Sequence, residues 1–278
     1  MVDLLSEFPH PVDWIFRTMF PGAPESGSIN QSIDEPPVKV SHSDNQPINQ
    51  SDSLSIVAII YDASDVARQC SRTFLYQSAA SVGDCGGNAT YIVKEKMVDI
   101  PKVVAGMPVP NIFGLKRMRM GYKGISRELA RALVDVSQAP TVQPVVFCVE
   151  DLMAFCEATT KQRDWTSRRA LAAMLSHFEE AIIFAKTHRS PLRIVFSIPS
   201  TAVHYDLFRR LGSKLFCLTV FSAGGDRVDI QPPFSTLKPW YSFRSTDEAV
   251  VRCSVNTDED GQMDVEEEFA SSQRNMFA

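Results

Sequence analysis

"SLSIVAIIYDASD", residues 53 to 65, is the stretch that decides the fold. Ile56 to Ile60 form an apolar, mostly β-branched run of the kind found in a strand buried on both faces, and it breaks at Tyr61 into Asp62, Ala63, Ser64 and Asp65. Asp65 to Ala80 then reads as a helix, with Val66, Cys70, Phe74 and Leu75 on one side. Ser64 therefore stands where a strand's carboxyl end meets a helix start, a position open to a nucleophile or to a helix cap. Ser and Asp side chains both accept hydrogen bonds from the free N–H groups of a first helical turn, so Ser64 or Asp65 is read as the cap.

Outward from this unit the alternation of strand and helix continues. Residues 89–96, "ATYIVKEK", give a second strand. "ISRELARALVDVSQ" places Ile125, Leu129, Leu133 and Val136 at helical spacing, and Pro140 ends it. "QPVVFCVEDL" is the next buried strand. In residues 164–189, Leu171, Leu175, Phe178, Ile182 and Ala185 form one stripe of a long helix, capped by Thr166 or Ser167, with Lys186, His188 and Arg189 at its C-terminal dipole. "LRIVFSI", "VHYDLFRRLG" and "KLFCLTVFS" add a strand, a helix and a strand. Strands separated by helical crossovers predict an α/β fold: three layers, with a mostly parallel sheet and helices on both faces.

The remainder of the chain is organised around this domain, placed at 53–244. Residues 21–52 are rich in Pro, Ser, Asn, Gln and acidic groups, and ordering them would cost more entropy than burial could offset, so they read as a disordered linker. Residues 1–20 crowd Leu4, Leu5, Phe8, Trp14, Ile15, Phe16, Met19 and Phe20 into a segment too short for a core of its own. It needs a groove, on this domain or on a protein partner, and Trp14, Phe16 and Phe20 are the docking candidates. Residues 245–278 carry an acidic excess, with "DEDGQMDVEEEF" inside, and read as a solvated disordered tail.

Composition narrows the function. A net charge of −5 leaves nucleic acid or anionic membrane attractive only to a local basic patch. The six cysteines, at 70, 85, 148, 156, 217 and 253, are scattered and form no Cys-x-x-Cys pair. They point to reduced thiols in an intracellular protein, nuclear or cytoplasmic, rather than a disulfide framework or a zinc site. No run approaches a membrane span and no signal-peptide pattern opens the chain, so no membrane association is expected.

Ligands of parallel sheets bind at the strands' carboxyl ends, which here are Tyr61 to Asp65, Glu150 and Asp151, Pro199 to His204, and Gly224 to Asp229. An opening strand ending in Asp-Ala-Ser, a long helix before "RIVFSIPST" and then "YDLFRRLGSKLFCLTVFSAGGDRVD" together resemble the SGNH or GDSL hydrolases over roughly residues 54–231. The resemblance implies a serine nucleophile at the first strand and a late Asp-x-x-His, and the chain departs from both. Aligning Asp62 puts Ala63 at the nucleophile, and aligning Ser64 loses the aspartate before it. Asp229 stands where the histidine base belongs, and Glu150 and Asp151 replace the oxyanion-hole asparagine. An inactive relative is expected, with no catalytic residue, metal or cofactor, and an active serine esterase using Ser64 and His204 is the alternative.

A second alternative is a RecA-like complex subunit without its phosphate loop. "VVFCVED" resembles a strand tipped by acidic metal ligands, while "GDCGG" lacks the lysine and hydroxyl of a phosphate loop. The binding signal lies elsewhere, in "GLKRMRMGYKGISRELAR". Lys116, Arg117, Arg119, Lys123, Arg127 and Arg131 gather there around Phe113 and Tyr122 in an otherwise acidic chain. Cations neutralise phosphates and aromatics stack on unpaired bases, so single-stranded RNA, an RNA–protein complex or an acidic partner fits; a solvated loop and helix face is the plainer reading of the charges alone. The sequence thus predicts a non-catalytic interaction and assembly module.

Overall fold

The computed structural model describes residues 56–253, apart from 85, 105–110, 140–144, 161–165, 189–191, 212–214, 232–240 and 248, together with 256–257 and 263–264. Trp14, Phe16, Phe20 and the linker at 21–52 lie outside the described residues.

The opening run forms β1, Ile56–Tyr61, buried at all six positions. Side chains alternate across a strand, and both faces of β1 are covered by different elements. Ile56, Ala58 and Ile60 enter one core with α3 (Ser126–Ser137), α4 (Leu152–Thr160), α5 (Ser167–Thr187) and α6 (Tyr205–Leu211). Val57, Ile59 and Tyr61 enter a second core with α1, Asp65–Asp84. The remaining elements are β2 (Asn88–Val93), β3 (Val103–Val104), α2 (Ile112–Arg117), β4 (Met118–Tyr122), β5 (Val145–Val149), β6 (Leu192–Pro199), β7 (Leu215–Gly224), β8 (Arg227–Gln231), β9 (Tyr241–Ser245) and β10 (Ala249–Cys253).

One ten-stranded sheet runs in the order β3-β10-β9-β8-β7-β1-β6-β5-β2-β4. The six strands from β7 to β4 are parallel, whereas β8, β9 and β10 continue from β7 as an antiparallel meander and β3 lies parallel to β10. The sheet is mostly parallel, as the sequence predicts. Its antiparallel third was not legible, because β8 to β10 follow glycines and prolines without a helical crossover.

The sheet curls. β2 and β3 are consecutive in the chain yet eight strand spacings apart, about 38 Å in a flat sheet. The nine residues 94–102 reach roughly that far only when fully extended. Curling of the antiparallel part around α1 closes the gap and accounts for the burial of 14 of that helix's 20 residues. Phe74 of α1 meets Phe243 of β9 edge-on at 5.3 Å between ring centroids, and Val104 and Val250 complete the same core.

Two expectations are corrected. The first helix continues past Ala80 to Asp84. The domain also passes the boundary set at 244: β10 pairs with both β9 and β3, so the folded part reaches Cys253 and the acidic tail begins later. Beyond it, β11 (Asn256–Thr257) and β12 (Met263–Asp264) pair as a short hairpin. No helix among the described residues is long and apolar enough to cross a membrane.

Candidate functional site

The turn from β1 to α1 is three residues long, and Asp62 organises it. Its Oδ1 accepts hydrogen bonds from the Ser64 N–H at 2.9 Å and the Ser64 hydroxyl at 2.5 Å. Its Oδ2 accepts from the Ser222 N–H of β7 at 2.7 Å. Burial works against the charged form, but the hydrogen bonds from the Ser64 hydroxyl, the Ser222 N–H and the Ser64 N–H outweigh it and hold this carboxyl below the usual range. Ser64 Oγ also accepts from the Ala67 N–H at 3.2 Å, which makes Ser64 the N-cap of α1. The carboxylate thus takes the Ser64 N–H of the turn and the Ser222 N–H of β7, donors that could otherwise meet an anion.

At the tip of β5 the two carboxylates are also engaged by the protein. Glu150 Oε2 accepts from the Tyr91 hydroxyl at 2.9 Å and lies 3.2 Å from Arg72 Nε. Asp151 adopts a left-handed φ of 49°, a conformation open to Asp among few non-glycine residues. Its N–H donates to Ser197 Oγ at 2.9 Å, and its Oδ1 accepts from the Ala154 N–H at 3.3 Å, capping α4. Burial first, then the Asp151 charge and hydrogen bond, pushes the Tyr61 phenol far up; burial and Glu150 do the same to Tyr91. No cluster of three metal-ligating side chains occurs among the described residues.

The Ser64 hydroxyl donates to Asp62, and no described hydrogen bond joins it to a histidine. His204 lies before α6, its carbonyl accepting from the Leu207 and Phe208 N–H groups at 2.9 and 3.3 Å, and no described hydrogen bond joins it to Ser64. His177 lies 3.5 Å from Glu180 on a solvent-facing part of α5. His188 caps the end of α5, where its ring stacks on Phe184 at 4.0 Å. Asp229, which the resemblance to SGNH hydrolases sets where a histidine base is expected, is in β8, bonded to the Ser242 hydroxyl at 2.6 Å and paired with Arg227 at 3.3 Å. Burial raises the Cys70, Cys156 and Cys217 thiols to about 12 and Cys148 further, so these thiols stay protonated.

The basic segment is not the loop and helix face that the charges alone suggest. It folds as α2, the edge strand β4 and the start of α3. α2 sits against the end of α1 because two glycines let the backbones meet: a Cβ on Gly83 would lie 2.3 Å from Gly114 O, and one on Gly114 would collide with Asp84. Asn111 caps α2, accepting from the Phe113 and Gly114 N–H groups at 2.8 Å.

The predicted binding residues divide between the two faces of this edge. Met118 packs into the α1 core, so Met118, Met120 and Tyr122 share that face, next to α2. Arg119 and Lys123 fall on the opposite face, where α3 carries the exposed Arg127. Lys116 lies over the Phe113 ring at 5.8 Å, and Arg117 donates to Gly86 O at 2.6 Å, which ties it to the exit of α1. Phe113 is 73% exposed, Ile112 64% and Tyr122 49%, an apolar surface beside the cations. Glu128 is turned to the backbone, accepting from the Gly124 N–H at 2.8 Å. Sequence reasoning found these cations but missed β4, since "MRMGY" mixes charge, glycine and Met and lacks a β-branched run.

No family model matches the chain, and no curated protein matches it.

Proposed function

We propose that this chain is a non-catalytic assembly module of an intracellular complex, nuclear or cytoplasmic, built on a three-layer α/β domain of the RecA-like type that has lost its phosphate loop. The observation that carries the reading is Asp62: its carboxylate accepts from Ser64 and Ser222 at the β1–α1 turn, the strand-to-helix position at which a phosphate loop is built. A negative charge already there repels a nucleotide, and the three-residue turn leaves no glycine-rich backbone to wrap one.

Strand order supports the RecA-like reading over the SGNH-like one. A flavodoxin-like order sets the first strand beside the second, whereas here β1 lies between β6 and β7, and β6 alone separates it from the acid-tipped β5. An active SGNH-type esterase would need Ser64 free for a base, and its hydroxyl is given to Asp62. Titrating the protein with Mg-ATP by calorimetry and treating it with a fluorophosphonate probe tests this reading: neither ligand is expected to bind. Saturable nucleotide binding, or labelling at Ser64, overturns it.

Partner contact is assigned to the N-terminal aromatic segment, through Trp14, Phe16 and Phe20, and to the basic edge. The exposure of Phe113 and Tyr122 on the face that carries Lys116, with Arg119 and Lys123 on the other face of the same strand, favours single-stranded RNA, alone or in an RNA–protein complex, on that edge. Fluorescence anisotropy with a single-stranded oligonucleotide over a salt series checks it. Exchanging Lys116, Arg117, Arg119 and Lys123 for Glu should weaken binding and flatten its salt dependence, because each lost phosphate contact releases one counterion fewer.

A further inference from the structure

We propose that the outer edge of β4 is a strand-docking site, and that its occupant is the chain's own acidic segment, residues 263–269. This rests on the reading of that edge as a binding surface. β4 ends the sheet: β2 pairs with one side, and no described strand pairs with the other. Lys123 donates its N–H to Val93 O of β2 at 3.0 Å, so by alternation Met120 and Tyr122 turn their backbone groups outward. Such an edge pairs with any extended segment whose side chains suit its two faces.

The faces specify the occupant. On the α1 side the docking strand would meet Met118, Met120 and Tyr122, with Ile112 and Phe113 of α2 beyond; on the α3 side it would meet Arg119, Lys123 and Arg127. As an extended strand, "MDVEEEF" at 263–269 would alternate in step, by sequence pattern, with Met263, Val265 and Phe269 on one face and Asp264, Glu266 and Glu268 on the other. Glu267 alone joins the apolar face, the side on which Lys116 lies. Met263 and Asp264 are already extended in β12, which β11 holds by one edge and which has its other edge unpaired among the described residues.

The ends of the chain make the contact possible within one molecule. β10 runs opposite to the parallel strands, so Cys253 leaves the sheet at the end where α2 and the start of β4 lie. Val250 pairs with Val104, and only residues 105–110 separate Val104 from Asn111 at the start of α2, a reach of at most about 24 Å. With the β11–β12 hairpin opened, residues 254–269 reach farther than that, so docking on β4 would replace the short β11 pairing.

Hydrogen exchange on the full-length protein tests the docking without RNA. Met120 and Tyr122 amides in wild type should exchange at least tenfold more slowly than in Glu266→Lys/Glu268→Lys or in Arg119→Glu/Lys123→Glu, and the four changes combined should restore protection. Equal exchange in wild type and both variants, with unchanged circular dichroism, overturns the proposal, as does failure of the combined variant to restore protection. Protection that grows with protein concentration also overturns it and makes a second copy the occupant. Loss of RNA binding with protection intact would sink the RNA reading and leave strand docking standing.

Discussion

The β1–α1 turn and the β4 edge lie in the same sheet, but their polar groups are treated in opposite ways. In the turn, the Ser64 and Ser222 N–H groups and the Ser64 hydroxyl converge on Asp62, while the Ala67 N–H is taken by Ser64. At the edge, Met120 and Tyr122 face outward between cations and apolar side chains. A position where parallel sheets bind ligands is closed by the chain's own carboxylate, and a position that soluble proteins ordinarily protect is open. On the proposed reading, binding belongs to the side of the sheet rather than to the carboxyl end of its strands.

The largest expected effect breaks the seat of the open edge. Gly114→Ala drives a Cβ to 1.7 Å from an Asp84 carboxylate oxygen and to 2.8 Å from the Asp84 backbone nitrogen, so α2 must leave α1. Overpacking of this kind should cost about 3 kcal/mol, read as a fall in the urea midpoint, and should also abolish binding at the basic edge. A stable Gly114→Ala protein with unchanged binding would show that α2 does not support the edge.

Next comes Asp62. Replacing it with Ala strands the Ser222 N–H and removes the anchor of Ser64, an expected loss of about 2 kcal/mol. Its carboxyl ionises more readily in the folded than in the unfolded chain, so its stabilisation is present above the unfolded value of about 3.9 and fades as pH falls through the lower folded value. Thermal melts of wild type and Asp62→Asn should therefore differ by a constant amount from pH 7 to pH 5 and converge in more acid solution. A constant gap down to pH 2 would remove the charged hydrogen bonds as the cause.

How much of this was legible in the sequence follows from the physics of each element. β1, β5 and β6 were readable because burial on both faces demands continuous apolar runs, and α5 because one buried stripe leaves a 3.6-residue period. α1 is more deeply buried than its sequence suggests. Its buried Ser71 and Ser78 hydroxyls donate back to the Arg68 and Phe74 carbonyls at 2.8 and 2.6 Å, so a polar-looking helix can sit inside the curled sheet. At the site, the capping role of Ser64 was readable from its place before a helix. The reach of Asp62 to Ser222 was not, since it joins residues 160 positions apart.

Ser64 gives the next smaller effect. Ser64→Ala removes the cap hydrogen bond from the Ala67 N–H and the hydroxyl's bond to Asp62, while Asp62 keeps the Ser222 and residue-64 N–H groups, so about 1 kcal/mol should be lost, with RNA and partner binding unchanged. Loss of function in a folded Ser64→Ala protein would return the hydroxyl to chemistry and undo the contrast between a closed turn and an open edge.

The smallest effect separates two arginines two residues apart. Arg117 donates to Gly86 O at 2.6 Å and ties α2 to the exit of α1, whereas Arg119 is exposed on β4. Arg117→Ala should therefore destabilise by about 1 kcal/mol, and Arg119→Ala by less than about 0.5 kcal/mol. Binding should show the reverse ranking if Arg119 faces the ligand and Arg117 is committed to the fold. Chemical denaturation and anisotropy on the same two proteins give both orders. Equal stability costs would mean that Arg119 is also held by the domain, and the basic edge would then be part of the fold's own support rather than a surface kept for a partner.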